Sequence, residues 1–261
     1  MSIAFQKYET KKIINIHKHV DGPWFWGKYT AHPYVGCRSG CEFCYLRGRR
    51  YLGKRDPDTF DSQIQIKTNA VERLREEIAR LEPDIISCGD WQQPAEDRFG
   101  LSRGMLEVVR EAQFPLFVVE RSPLLVRDLD LLRQINGNTW VGVVYSISSL
   151  DLALKQAFEP KSPGVARRLG AMARLASAGI TVGASLMPIL PYAGDDETSL
   201  EALIVAVKEH GGTFVMGGGL TMDGVQARRT LAAAERHDPA LAQRWRQLYN
   251  WPIGGEPRYG P

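Results

Sequence analysis

The chain has 261 residues, of which 44% are hydrophobic and 24% are charged, and its formal net charge is +3. This composition is that of a globular protein with a sizeable core, and so small a net charge does not by itself indicate nucleic-acid binding. No segment approaches the roughly 20 apolar residues of a membrane helix. Residues 1–10 lack the apolar stretch of a signal peptide, so a cytoplasmic protein is the default expectation.

Short apolar runs alternate with amphipathic segments from residue 28 onward. Val71, Leu74 and Ile78 recur at helical spacing, whereas the short apolar run 84–88 is stopped by Gly89, as in a buried parallel strand. In chain order the prediction is strand 28–34, helix 69–81, strand 84–88, helix 102–112, strand 116–119, helix 126–135, strand 140–147, helix 162–178, strand 180–186, helix 196–210, strand 213–216 and helices 226–236 and 239–249. This alternation predicts an α/β fold, a partial (β/α)6 TIM-like barrel of parallel strands in a single domain.

No internal repeat and no low-complexity linker divides the chain. Residues 1–27 are predicted to form an N-terminal extension that packs on the barrel. Residues 28–236 are predicted to form the barrel core, and residues 237–261 a C-terminal helix and an irregular tail. Within the extension, Trp24–Trp26 could line a stacking pocket for bases, or they could pack across the barrel mouth.

Three of the four cysteines fall within eight residues: Cys37, Cys41 and Cys44. Three thiolates on one short loop can converge on a soft metal centre, and Gly36 and Gly40 would let the loop turn tightly around it. An iron–sulfur cluster held by three thiolates would keep one iron open for chemistry. Structural zinc is the alternative, and it would need a fourth ligand such as His32. Three unrelated free cysteines are the remaining possibility.

The CxxxCxxC loop, with Phe43 before its last cysteine, resembles the signature of radical S-adenosylmethionine enzymes. Wider segments are similar to the spore photoproduct lyase branch of that superfamily. These segments are 32–37, 89–96, 120–122, 127–132, 159–160 with 168–169, and 187–191. Glu159 and Arg168 could equally form a structural ion pair, so they are not counted among the site residues. The resemblance covers about residues 34 to 191. The chain departs from the branch where His32 replaces the usual asparagine and Arg121 replaces the usual lysine.

The resemblance implies an enzyme with a [4Fe–4S] cluster on the three loop cysteines and S-adenosylmethionine as second cofactor. It makes residues 28–236 a radical S-adenosylmethionine core domain. The expected first step is reductive cleavage of S-adenosylmethionine to a 5′-deoxyadenosyl radical, with a reductant such as flavodoxin or ferredoxin as partner. The substrate stays open between a nucleic-acid lesion, in a lyase reaction, and a small molecule or peptide. The alternative function is a non-catalytic zinc-binding module on the same loop.

Five cofactor-binding residues are expected from the resemblance and from their positions at strand ends. Phe43 would lie against the adenine, or it would only pack within the loop. Gly89 and Asp90 follow one strand, at the carboxyl end where barrel enzymes place functional groups. Arg121 could pair with the methionyl carboxylate in bidentate fashion, and Ser146 could add a hydrogen bond. A solvated or capping role at a strand end is the alternative for Asp90, Arg121 and Ser146.

Cys88 is the one cysteine outside the loop, at the end of a predicted strand. In spore photoproduct lyase, a cysteine close to this place returns a hydrogen atom to the product radical. The resemblance therefore makes Cys88 a candidate catalytic residue. Because strand side chains alternate between faces, either Cys88 or Ser87 faces the barrel interior, but hardly both. Packing in the core is the alternative role for Cys88.

A run of basic residues extends through and beyond the cysteine loop, with Glu42 as the one acid among residues 38–55. Its members are Arg38, Arg47, Arg49, Arg50, Lys54 and Arg55. Tyr45 and Tyr51 are interleaved with them. The run could steer an anionic substrate, including a nucleic-acid backbone. It could also be a solvated loop face that balances the charge of a reduced cluster.

Overall fold

Ten strands are present in the described residues, 3–18 and 27–251, of this computed structural model. In chain order they are β1 (Ala4–Tyr8), β2 (Ile14–Ile16), β3 (Tyr29–Ala31), β4 (Tyr34–Val35), β5 (Gln63–Lys67), β6 (Ile86–Gly89), β7 (Leu116–Glu120), β8 (Val141–Ser146), β9 (Thr181–Ile189) and β10 (Phe214–Gly219). They form a sheet of seven strands and a sheet of three strands.

The seven-stranded sheet has the order β10-β9-β8-β7-β6-β3-β2. Its six strands from β3 to β10 pair in parallel, and β2 pairs antiparallel with β3 at one edge. Parallel neighbours need crossover connections, and helices supply them here. These observations confirm the predicted α/β fold, a partial (β/α)6 barrel of parallel strands.

Ten helices accompany the strands in the described part of the chain. They are α1 (Arg49–Leu52), α2 (Ala70–Ile78), α3 (Glu96–Phe99), α4 (Leu101–Ala112), α5 (Leu129–Asn138), α6 (Leu152–Phe158), α7 (Val165–Ser177), α8 (Glu197–Glu209), α9 (Gly224–His237) and α10 (Pro239–Leu248). All seven predicted helices are present, with ends that shift by a few residues. The short helices α1, α3 and α6 were not predicted. None of the described helices combines the length and the apolar character that crossing a membrane requires.

The main core lies between the sheet and the helices. Alternate strand residues such as Val118, Val143 and Val182 are buried in one cluster with Leu106 of α4 and Met172 of α7. The intervening strand residues therefore point into the barrel, because successive side chains of a strand face opposite ways. This parity determines which residues at the strand ends can reach the barrel interior.

The three-stranded sheet has the order β1-β5-β4, with β5 parallel to β1 and antiparallel to β4. The predicted strand 28–34 is wrong in its second half, because the chain leaves the barrel after Ala31. It then pairs as β4 with β5, and Tyr34 lies opposite Ile66. The cysteine loop begins directly after β4, so the small sheet anchors its first residue.

The N-terminal residues contribute to both sheets, β1 to the small one and β2 to the edge of the barrel sheet. At the other end of the chain, α10 packs with its Trp245 buried. The predicted roles of Trp24–Trp26 and of the tail 252–261 lie outside the described residues. The domain boundaries after residues 27 and 236 stay a proposal.

Candidate functional site

Three neighbouring strands end where the predicted cofactor-binding residues lie. Asp90 follows Gly89 of β6, Arg121 follows β7, and Ser146 is the last residue of β8. Because β6, β7 and β8 are parallel neighbours, these residues lie at the same end of the barrel. The cysteine loop meets this end, since the Cys37 thiol donates to Oδ1 of Asp90 at 3.3 Å. Asp90 has a positive φ of 56°, an uncommon conformation for a residue with a side chain.

The cysteine loop is held tightly by its own backbone. The N–H of Cys37 donates to Phe60 O at 3.1 Å, and the N–H of Cys44 donates to Cys41 O at 3.2 Å. Gly40 has a φ of 56°, and a Cβ added there would lie 2.7 Å from Oδ2 of Asp61. A side chain at this position would therefore collide with a buried neighbour while straining the backbone.

The loop is clamped between two apolar clusters. Cys37 is buried with Leu52 and Phe60, and the partly buried Cys44 packs against this group. Cys41 is buried in a second cluster, which also contains Phe43 and Phe158. Cys37 and Cys41 are thus buried away from water, and Cys44 is partly buried.

The three thiols form a donor set that suits a soft metal centre. Burial raises the pKa of Cys41 to about 12 and that of Cys44 to about 11, so these thiols hold their protons at neutral pH until a cation binds. Within residues 3–18 and 27–251, no three His, Cys, Asp or Glu side chains are grouped to hold one metal ion. A cluster of four irons does not require convergence on one point, because each cysteine binds a different iron. The three thiols therefore fit an iron–sulfur cluster that is held by three cysteines.

Arg121 is the centre of a buried charge arrangement. Its Nη1 lies 2.9 Å from Oε1 of Glu159, and its Nη2 donates to Met187 O at 3.3 Å. Its guanidinium carbon lies 5.4 Å from the centre of the Phe43 ring, a cation–π contact. The structure thus brings Arg121 and Phe43 together beside Cys41.

Glu159 joins Arg121 to a second buried arginine. Arg168 Nη2 donates to Oε2 of Glu159 at 2.5 Å, and Arg168 Nη1 donates to the Ser146 carbonyl at 2.7 Å. Burial opposes the ionisation of Glu159, but the two guanidinium groups and their hydrogen bonds outweigh it and lower its pKa to about 2. Because two guanidinium groups pair with one carboxylate, this group of three side chains has a net positive charge next to the cysteine loop. The sequence analysis left Glu159 and Arg168 out of the site, because they could equally form a structural ion pair, and the structure shows that pair.

Glu120 is a second buried carboxyl at this end of the barrel that the sequence analysis missed. It is 2% exposed and accepts a hydrogen bond from the Gln92 N–H at 2.9 Å. Burial and the nearby Asp90 charge raise its pKa to about 8. Glu120 lies opposite Tyr145 in the β7–β8 register, on the helix-facing side of the sheet.

Cys88 and Ser87 point to opposite faces of β6. Cys88 is buried in the helix-facing core with Val118 and Val143, whereas Ser87 lies in the row of Phe117 on the barrel side. The Ser87 hydroxyl is buried and has no hydrogen-bond partner among the described residues. This placement does not bring the Cys88 thiol to the barrel interior, so it favours core packing over the predicted hydrogen-donor role.

No family model matches the chain. An uncharacterized protein of Mycobacterium tuberculosis is 29% identical over 228 residues, which cover 85% of this chain and 67% of that protein. An uncharacterized protein of Methanocaldococcus jannaschii is 28% identical over 190 residues, which cover 72% of this chain and 69% of that protein.

Two solved structures of spore photoproduct lyase resemble the chain over nearly its whole length. The enzyme complexed with dinucleoside spore photoproduct has a TM-score of 0.66 and 17% identity, covering 98% of this chain and 73% of that one. A mutant with bound AdoMet and dinucleoside spore photoproduct has a TM-score of 0.65 and 17% identity, covering 99% of this chain and 73% of that one. The chain therefore shares the partial-barrel fold of spore photoproduct lyase.

Proposed function

We propose that this chain is a radical S-adenosylmethionine enzyme with a [4Fe–4S] cluster on Cys37, Cys41 and Cys44. The observation that carries the proposal is the meeting of the buried three-thiol loop with the carboxyl ends of parallel strands, at the contact of Cys37 with Asp90. Bound together, the cluster and S-adenosylmethionine would supply a 5′-deoxyadenosyl radical that abstracts hydrogen from a substrate.

The side chains around the loop supply groups that bind a zwitterionic ligand such as S-adenosylmethionine. Arg121 has five N–H donors, and its contacts with Glu159 and Met187 O leave donors for a carboxylate. The Asp90 carboxyl offers an acceptor for a cationic group. The Phe43 ring presents an apolar surface that Arg121 holds in place.

Apolar packing behind the loop keeps water from the reacting groups. Cys41 and Phe43 are buried in one cluster with Phe158, Leu190 and Trp245. A dry environment strengthens the electrostatic effect of Arg121 and limits quenching of reactive intermediates. The role of this cluster in the proposed reaction is therefore exclusion of solvent.

The substrate class that the fold likeness supports is a nucleic-acid lesion, because the solved neighbour binds a dinucleoside spore photoproduct. The test is incubation of the reconstituted protein with that dinucleoside, S-adenosylmethionine and dithionite, followed by chromatography. Loss of the dinucleoside that depends on S-adenosylmethionine supports this substrate class. Formation of 5′-deoxyadenosine with the dinucleoside left intact would contradict it and point to a small molecule or peptide.

The experiment that tests the cluster is anaerobic reconstitution with iron and sulfide, followed by analysis of bound metal. About four irons and four sulfides per chain are expected from a [4Fe–4S] cluster, with loss of iron in Cys37→Ala, Cys41→Ala and Cys44→Ala. Stoichiometric zinc without iron in anaerobically purified protein would overturn the assignment in favour of the zinc module.

A further inference from the structure

One face of the cysteine loop region is strongly basic and exposed. We define the basic face as Tyr45, Arg49, Arg50, Tyr51 and Lys54, all of which are exposed. Tyr45 and Tyr51 are 59% and 47% exposed, and their rings contact each other edge to face with centroids 5.3 Å apart. Tyrosine and arginine are enriched at protein–protein interfaces relative to the rest of a protein surface.

Two other cations of the basic run, Arg47 and Arg55, bind groups of the protein itself. Arg47 is fully buried, donates to Pro57 O at 2.7 Å and lies 3.6 Å from Asp61. Arg55 donates to Gln63 O at 2.5 Å. By contrast, Arg49, Arg50 and Lys54 form no ion pair within residues 3–18 and 27–251. Within the described part of the chain, no ion pair therefore balances the three positive charges of the basic face.

The basic face adjoins the first and last cysteines of the loop, Cys37 and Cys44. Leu52 of α1 is buried against Cys37, while Arg49, Arg50 and Tyr51 of the same helix are exposed. Tyr45 follows Cys44 in the chain. A molecule docked on α1 is separated from the loop by one helix, whose diameter is about 10–12 Å. Asp90 and Arg121, the proposed cofactor-binding groups, follow barrel strands that meet the same loop at the contact of Cys37 with Asp90.

We propose that the basic face docks a small acidic electron carrier, a flavin or iron–sulfur protein, which supplies the electron that the proposed function requires. The inference rests on the proposed function. One electron passes from the reduced carrier to the protein, and the carrier leaves oxidised by one electron. Charge complementarity steers acidic partners to such a face. A nucleic acid bound there would lie across α1 from Asp90 and Arg121, whereas an electron carrier needs only proximity to the thiols.

The test is direct binding of a reduced flavodoxin to the anaerobically reconstituted protein, measured by calorimetry at low and at high salt. The test variant combines Arg49→Glu, Arg50→Glu and Lys54→Glu. The control variant combines Arg133→Glu, Arg167→Glu and Lys208→Glu, which reverse the same number of exposed charges on the outer helices. We expect the test variant to bind about tenfold or more weakly at low salt, and the control to bind like the unsubstituted protein.

A second readout separates docking from cofactor loading. Deoxyadenosine formation driven by dithionite is expected to be unchanged in both variants, while formation driven by flavodoxin falls only in the test variant. Equal flavodoxin binding by the two variants would overturn the proposal. The proposal is also overturned if the test variant binds flavodoxin normally but binds a single-stranded oligonucleotide more weakly. That result would show that the basic face binds nucleic acid. If the unsubstituted protein forms no deoxyadenosine with dithionite, the proposed function fails and the docking proposal with it.

Discussion

Arg121 and Glu159 form a buried ion pair beside the cysteine loop, with Nη1 of the arginine 2.9 Å from Oε1 of the glutamate. The other oxygen of Glu159 accepts from Arg168, which in turn donates to the carbonyl of Ser146. One carboxylate thus holds two guanidinium groups at the carboxyl end of the barrel. This arrangement fixes the orientation of Arg121 without a ligand, and under the proposed function the guanidinium would face the carboxylate of S-adenosylmethionine.

Replacing Glu159 by glutamine tests this arrangement. The substitution leaves Arg121 and Arg168 buried without their shared carboxylate, and we expect a loss of about 3 kcal/mol or more in the free energy of unfolding. Urea denaturation of the unreconstituted protein measures it. The control is Glu111→Gln, which removes an exposed pair with Arg75 and is expected to have a much smaller effect. Equal losses in the two variants would show that Glu159 does not balance the arginines.

Gly40 and Gly100 offer a matched pair for testing the shape of the cysteine loop. Both have a positive φ, 56° and 59°, but only a Cβ at Gly40 meets other atoms. Gly100→Ala is expected to cost about 1–2 kcal/mol from backbone strain alone. Gly40→Ala adds a steric cost of about 1–3 kcal/mol and is expected to lower iron incorporation as well. Normal iron content in Gly40→Ala would mean that the loop can rearrange around a side chain.

Cys88 and Ser87 should respond to alanine in opposite ways. Cys88→Ala removes a buried apolar group and is expected to lower the free energy of unfolding by about 1 kcal/mol, with deoxyadenosine formation unchanged. Ser87→Ala removes a buried hydroxyl without a partner among the described residues, so we expect stabilisation by about 1 kcal/mol. If Cys88→Ala forms deoxyadenosine normally but loses product or its deuterium label, the thiol takes part in hydrogen return despite its placement.

Glu120 makes stability depend on pH. Its folded-state pKa of about 8 is above the ordinary value of 4.5, so the folded state binds its proton more tightly than the unfolded state does. The stability contribution is fully present below about pH 4.5 and is lost as the pH rises through about 8. Thermal unfolding of Glu120→Gln should therefore show growing stability relative to the unsubstituted protein as the pH rises across that window. Glu201→Gln, on the exposed surface of α8, is the control, and a parallel pH profile for both variants would contradict the prediction.

The barrel was predictable from sequence because burial on both faces leaves an unmistakable pattern. Every residue of β8, Val141–Ser146, is buried, and the helices between the strands carry apolar residues at helical spacing. The small sheet was missed for the converse reason. β1 is almost entirely exposed, and β5 is only five residues long, with Ile64 and Ile66 as its buried members. Such short strands are stabilised by partners distant in the chain.

The site residues also divide into those with a local sequence signal and those brought in by distant segments of the chain. The cysteine spacing is visible because the three thiols are neighbours in sequence. Asp90 and Arg121 follow predictable strands, and Ser146 ends one. Sequence alone does not place Glu159 beside Arg121, because Glu159 follows α6 and comes near the cysteine loop only through tertiary packing. The choice between Cys88 and Ser87 required the strand parity that the helix-facing core establishes.

The measurement that tests the central claim most directly is deoxyadenosine release by the anaerobically reconstituted protein. Given S-adenosylmethionine and dithionite, the unsubstituted protein is expected to release 5′-deoxyadenosine and methionine in equal amounts. Cys41→Ala, prepared in the same way, is expected to release neither, since Cys41 is a ligand of the proposed cluster. A reconstituted protein that holds about four irons per chain and still releases no deoxyadenosine would contradict the account.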